Sequence, residues 1–94
     1  MQVKVKIIGD PKDIPGFEKQ KEIPVAFTGN SVGDLIHHLS SEMDSETRSL
    51  FLSDQGEISV DLAVIVNGIM ISDSNRANFP LKEGDLVELV LSPG

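Results

Sequence analysis

This 94-residue chain contains no cysteine, no tryptophan and no tyrosine, and each absence removes a class of chemistry. Without cysteine there is no disulfide, no thiolate nucleophile and no Cys-based metal site. Without Trp or Tyr, and with only four Phe, stacking platforms for single-stranded nucleic acid are scarce. Basic residues are also in short supply: 8 Lys and Arg stand against 15 Asp and Glu, giving a net charge of −7. A duplex-binding surface needs clustered cations to displace phosphate counterions, so neither nucleic acid nor an anionic membrane is an expected partner. A protein with a basic face is a better match, because charge of this kind steers encounter. Long apolar runs are missing too. No stretch approaches the roughly 20 residues of a membrane-spanning helix. The opening "MQVKVKIIG" alternates charged and apolar side chains and lacks the continuous apolar core of a signal peptide. A cytoplasmic location is expected. So is one domain over residues 1–94, since a chain this short leaves no room for a second core.

What is present has clear periodicity. Val3, Val5 and Ile7 alternate with Lys4 and Lys6, the pattern of a half-buried strand. Residues 9–22, "GDPKDIPGFEKQKE", are rich in Gly, Pro and charge and predict an extended loop. In "IPVAF" the residues Ile23, Val25 and Phe27 share a face, and Pro24, which has no N–H to donate, assigns this strand to a sheet edge. A helix is predicted over 31–43. Ser31 is its N-cap and Asp34 gives a capping-box-like first turn, while Val32, Leu35, Ile36, Leu39 and Met43 form one apolar stripe. "DSETRSLFLSDQG" reads as a shorter helical turn ending at Gly56, with Leu50, Phe51 and Leu52 tucked beneath the domain.

Further on, two strand-like runs in "VDLAVIVNGIMI" meet at Asn67-Gly68, a strong short hairpin signal. "SDSNRANFPLKEGD" is a polar loop anchored by Phe79 and Leu81. The last run, "LVELVL", is apolar on both faces: Val87, Leu89 and Leu91 on one, Leu86 and Val90 on the other with Glu88 between them. The order strand, strand, helix, strand, short strand, strand predicts an α+β fold, with a mixed sheet of about four to five strands wrapped round one main helix. One helix covers one face of a central strand. The side bearing Leu86 and Val90 should therefore carry an exposed apolar patch of the kind that marks partner sites.

The segments "VKVKIIG", "SVGDLIHHL" and "LAVIVNG", then "PLKEGDLVELVLSPG", occur in the order seen in the MoaD/ThiS sulfur-carrier proteins, which this chain resembles over nearly its whole length. That family has the ubiquitin-like β-grasp fold. The resemblance implies that the carboxylate of Gly94 is the reactive group, at the end of a flexible tail spanning residues 92–94. An adenylating enzyme related to ubiquitin-activating enzymes would join it to AMP, using ATP, and a sulfur donor would convert it to a thiocarboxylate. The sulfur would then pass to a biosynthetic acceptor, through the large subunit of molybdopterin synthase or through thiazole synthase. Length favours the molybdopterin branch. Leu86, Val90, Leu91, Ser92 and Pro93 are the implied partner-binding residues. No permanently bound cofactor is implied, and the chain would act as a protein substrate or small subunit. Glycine suits the role because, lacking Cβ, it lets a tail thread a narrow channel.

In one respect the sequence departs from the family. Its relatives typically end in Gly-Gly, whereas here Pro93, with its fixed φ, precedes Gly94. Three readings stay open: the carrier tolerates Pro93, further residues follow Gly94 in the natural chain, or the sulfur role has been left. The rivals are a ubiquitin-like modifier joined through Gly94 to target lysines and a non-covalent β-grasp adaptor. Other motifs are bland. His37-His38 are adjacent and do not share a helix face, so a solvated flank is expected. "DPKDIPGFEK" lacks the alternating carboxylates of an EF-hand. "GNSVG" lacks the Lys and Ser/Thr of a phosphate loop. Asp85 after Gly84 reads as a turn residue.

Overall fold

The computed structural model describes residues 1–8 and 21–91. Residues 9–20, most of the expected extended loop, and the tail 92–94 lie outside the described residues. In chain order the elements are β1 (Gln2–Ile8), β2 (Ile23–Ala26), α1 (Val32–Ser41), α2 (Ser45–Arg48), β3 (Leu62–Val66), β4 (Ile69–Ile71) and β5 (Leu86–Leu91). The strands form one five-stranded sheet in the order β2-β1-β5-β3-β4. β1 and β5 run parallel at its centre, and the other pairings are antiparallel. This is the mixed sheet the patterning predicts.

Each strand sits where its side-chain pattern places it. β5, apolar on both faces, takes the middle position between β1 and β3. β2, carrying Pro24, is the edge strand beside β1, with Pro24 opposite Lys4. The β3–β4 hairpin closes at Asn67 (φ 51°) and Gly68 (φ 85°), both in the left-handed region that a two-residue turn of this hand requires. Val3, Val5, Ile7, Leu62, Val64, Val66, Val87, Leu89 and Leu91 line the covered face of the sheet.

α1 packs across that face. Val32, Leu35, Ile36 and Leu39 are buried, as the stripe predicts. Ser31 is the N-cap in extended conformation, and its Oγ accepts the Asp34 N–H at 3.1 Å. The reciprocal half of the capping box is displaced by one residue: the Asp34 carboxylate accepts from the Asn30 N–H at 3.1 Å. The helix ends at Ser41, two residues before the predicted limit. Met43 packs against the core from beyond the C-cap residue Glu42. α2 is a single turn capped by Asp44, whose Oδ1 accepts from Thr47 N at 2.7 Å. Phe51 and Leu52 after it are buried and Leu50 is partly so. Two further helix donors, Val32 N and Gly33 N, reach the carbonyls of Phe79 and Ala77 at 3.0 Å, fastening the 72–85 loop against the start of α1.

The 72–85 loop holds a charge that sequence patterning did not find in the interior. Arg76 is only 4% exposed. Its guanidinium donates to the carbonyls of Leu62, of Ser59 at 2.7 Å and of Ile58 at 3.3 Å. Asp73 lies at 3.8 Å from it on the solvent side.

Candidate functional site

The sequence directs attention to the end of β5, where the chain passes into Ser92, Pro93 and Gly94. Those three residues, including the expected reactive carboxylate, lie outside the described residues. The root of the tail is described. Leu91 is the last residue of β5 and pairs across to Leu62, the first residue of β3. At 4% exposure its side chain points into the core. Leu91 therefore departs from the expected partner-binding set, because strand alternation turns it to the covered face with Val87 and Leu89. It anchors the end of β5 from within.

Leu86 and Val90 fall on the opposite, open face and are half-buried. The register builds rows across that face. Ile8, Val90 and Ala63 form an apolar row beside the root of the tail. Lys6, Glu88, Ile65 and Met70 form the next, and Pro24, Lys4 and Leu86 a third. Met70 stands 66% exposed at the far edge. Reading β5 alone placed three of these residues, Leu86, Glu88 and Val90. The same alternation carried along β1 and β3 would have found the rest. Among these rows the charges are Lys4, Lys6 and Glu88; α1 adds Asp34 and α2 balances Glu46 with Arg48, so the chain's net acidity lies in the segments between the elements. A docking face that is itself acidic is not what the sheet presents.

The turn leading into β5 is built by its own side chains. The Asp85 carboxylate accepts from Lys82 N at 2.8 Å and from Asn67 Nδ2 at 3.1 Å. Asn67 Oδ1 in turn accepts from Leu86 N at 2.9 Å. Asp85 O takes the Lys4 N–H at 2.9 Å, which joins the turn to β1. The carboxylate of Asp85 is thus occupied in fixing the start of β5, the role its place after Gly84 predicts.

On the helix side, His38 rests with its ring 6.5 Å from that of Phe27 and its Nε2 3.5 Å from Glu42, while His37 is exposed. Among the described residues no three His, Cys, Asp or Glu side chains converge to hold a metal. The N–H of Asn30, with the Ser31 hydroxyl, holds the Asp34 carboxyl below the usual carboxylate range, and the Thr47 N–H does the same for Asp44. These are cap interactions, not catalytic tuning. A cleft of about 360 Å³ opens between β2 and the end of α1, lined by Ile23, Val25, Leu39, Met43 and Thr47 with Glu42 at its rim. Of the residues in the rows around β5 it takes in Pro24 alone. No described helix is long and apolar enough to cross a membrane.

Solved structures with this architecture are ubiquitin-like β-grasp proteins. The small archaeal modifier protein SAMP1 from Haloferax volcanii superposes with a TM-score of 0.71 at 19% identity, over 97% of this chain and 94% of that one. Urm1 from Trypanosoma brucei gives 0.71 at 17%, over 97% and 91%. A chain of the complex of subunits 1 and 2 of the molybdopterin-converting factor from Helicobacter pylori 26695 gives 0.58 at 21%, over 97% and 93%. At these identities the likeness is one of fold. No curated protein matches the sequence. The ThiS family model, however, matches residues 5–92. That span runs from the first buried strand to the residue before Pro93, and it shows that the chain belongs to the ThiS family.

Proposed function

We propose that this protein is a sulfur carrier whose working group is the Gly94 carboxylate. The observation that carries the reading is the family match through residue 92, which brings the whole pattern to the edge of Pro93-Gly94. In the first step a carboxylate oxygen of Gly94 bonds to the α-phosphorus of ATP on a partner adenylating enzyme, and pyrophosphate leaves. A sulfide-level donor then attacks the carbonyl carbon and AMP departs, exchanging one oxygen for sulfur. A carboxylate is a poor acyl donor until adenylation supplies that leaving group. The chain's own part is mechanical. β5 is locked at the centre of the sheet, and the open-face rows around Leu86 and Val90 offer a half-buried apolar surface to the partner beside the root of the tail. Delivery in molybdopterin synthesis, with a synthase large subunit receiving the tail, is the proposed pathway. The like-folded chain in the complex of subunits 1 and 2 of the molybdopterin-converting factor from Helicobacter pylori 26695 supports considering it.

The second reading is a protein modifier. The same adenylate would be attacked by a lysine amine, leaving an isopeptide bond. A like-folded chain named as a small archaeal modifier protein, SAMP1, brings it into consideration. One assay separates the readings. The full chain is incubated with ATP, a sulfur donor and the adenylating enzymes of its source organism, then weighed intact. The carrier gains the difference between sulfur and oxygen, the modifier gains a protein, and a non-covalent adaptor gains nothing. Removing Pro93-Gly94 should leave the fold intact and abolish adenylation. A truncated chain that still turns over ATP with the activating enzyme would move the reaction away from Gly94.

A further inference from the structure

Arg76 occupies an unusual position. β4 ends at Ile71, opposite Val64, so the strand that flanks β3 stops one bonded pair short of Leu62. Bonded and non-bonded pairs alternate along an antiparallel ladder. Asn67 N donates to Leu86 O at 2.8 Å, which makes that pair a bonded one. By alternation Ile65–Glu88 and Ala63–Val90 are also bonded, and Leu62, opposite Leu91, turns its N–H and C=O away from β5. The Leu62 N–H is taken by Ser59 O at 3.2 Å. Its carbonyl, with no β4 residue beside it, is taken by the buried Arg76 guanidinium. The same group holds the Ser59 and Ile58 carbonyls of the turn entering β3. Arg76 thus supplies the missing rung of β4 by side chain. It fixes the one stretch of β3 against which the final rung of β5 and the root of the tail are set.

We propose that Arg76 is a positioning residue for the reactive terminus. It clamps the start of β3 so that β5 stays paired through Val90 and Leu91, the last described residue before the terminus, is held in place. This rests on the sulfur-carrier reading. A planar, multi-donor cation suits the task, because the carbonyls are met from two nitrogens held apart in a rigid fork, Nη1 on Leu62 and Nη2 on Ser59 and Ile58. Without the clamp the Ala63–Val90 rung would open, and the tail would leave the sheet from a mobile strand end. Docking through the open-face rows would persist, while delivery of Gly94 to the nucleotide would suffer.

The test uses full-length Arg76→Lys and Arg76→Gln, each at a temperature where circular dichroism shows it folded. Two quantities are read: native-state amide exchange, and adenylation kinetics with the activating enzyme. In Arg76→Gln, exchange at the Val90 amide should quicken by about tenfold or more, beyond any change at the Leu39 amide in α1, with Arg76→Lys between it and the wild type. The KM for the carrier should stay within about twofold while kcat falls roughly tenfold, with partial recovery in Arg76→Lys. Equal acceleration at Val90 and Leu39 would mean that Arg76 only supports global stability, and it overturns the assignment. So does local opening with unchanged kcat. A wild-type chain that is never adenylated overturns the carrier reading and with it any positioning role in that reaction. A wild type that reacts at the same rate as both variants overturns the Arg76 assignment alone.

Discussion

Gly33 offers a decisive test of how α1 is held, because two ordinary expectations about it have opposite signs. It lies in the first turn of a helix, where replacing Gly by Ala usually stabilises by about 0.5–1 kcal/mol through lost chain entropy and better propensity. Here a Cβ on residue 33 would lie 2.7 Å from the carbonyl oxygen of Ala77, and that neighbour is backbone rather than a yielding side-chain tip. To relieve the overlap, the 72–85 loop must move away from the helix. The same loop supplies the two carbonyls that accept from Val32 N and Gly33 N at 3.0 Å. Crowding of this kind costs about 1–3 kcal/mol, and stretching two bonds to otherwise unpaired helix donors adds about 1 kcal/mol for each one lost. The crowding wins, and Gly33→Ala should destabilise by about 1–2 kcal/mol net, lowering Tm by roughly 5–15 °C in a domain of this size. With no Trp or Tyr in the chain, melting is best followed by far-UV circular dichroism. An unchanged or raised Tm would show that the loop is not fastened to α1 as described.

The remaining predictions concern other parts of the molecule. Leu39→Ala, in the stripe that α1 buries, should cost about 2–5 kcal/mol in urea unfolding; an unchanged midpoint would contradict the packing of the helix on the sheet. Ser40 buries a hydroxyl for which the structure shows no hydrogen-bond partner, so Ser40→Ala should raise stability by about 1 kcal/mol, and a clear loss would mean that the hydroxyl is satisfied in solution. The Asp34 carboxyl is held low by the Asn30 N–H and the Ser31 hydroxyl. Its contribution is present above the ordinary carboxylate pKa and is lost as pH falls through the lowered folded value. Asp34→Asn should accordingly lower stability at neutral pH and flatten the acid limb, the two proteins converging as pH falls below the folded value, and an identical acid limb in both proteins would refute this. Under the sulfur-carrier reading, Pro93→Gly frees φ beside the reacting residue, so adenylation should quicken without a change in Tm; a slower or equal rate would show that Pro93 does not hinder threading.

Much of the fold was legible because burial is periodic. Val3, Val5 and Ile7 alternate, the α1 stripe recurs at helical spacing, and the two-sided apolar pattern of β5 placed it at the centre of the sheet. Asn67-Gly68 marked the tightest turn because few other residue pairs adopt positive φ twice in succession. Arg76 was invisible for the opposite reason. It lies in a polar loop, and its burial follows from a tertiary fact, the early end of β4 beside Leu62, that no local pattern contains. Met43 was assigned to the helix because stripe spacing alone does not register a C-cap at Glu42. At the site, alternation along β5 separated Leu86 and Val90 from the core-facing residues but said nothing of Lys4, Lys6 and Ile8, whose place beside them depends on the parallel pairing of β1 with β5.

The edge position of Pro24 has a consequence for how copies of this protein coexist at high concentration. Met1 and Phe27 exchange both backbone hydrogen bonds, at 2.9 and 3.1 Å. By alternation Val3–Val25 and Val5–Ile23 are bonded pairs as well, so residues 24 and 26 turn their backbone groups outward, away from β1. The missing N–H of Pro24 therefore falls on the rim of the sheet, where it removes nothing from the ladder within. A second copy approaching that rim would find, within β2, a single outward donor at Ala26, too few for edge-to-edge pairing to propagate. The opposite rim, β4, has only three residues to offer. A small sheet with short or interrupted rims is poorly suited to seeding fibrils, and a proline in the second strand secures that at no cost to the ladder.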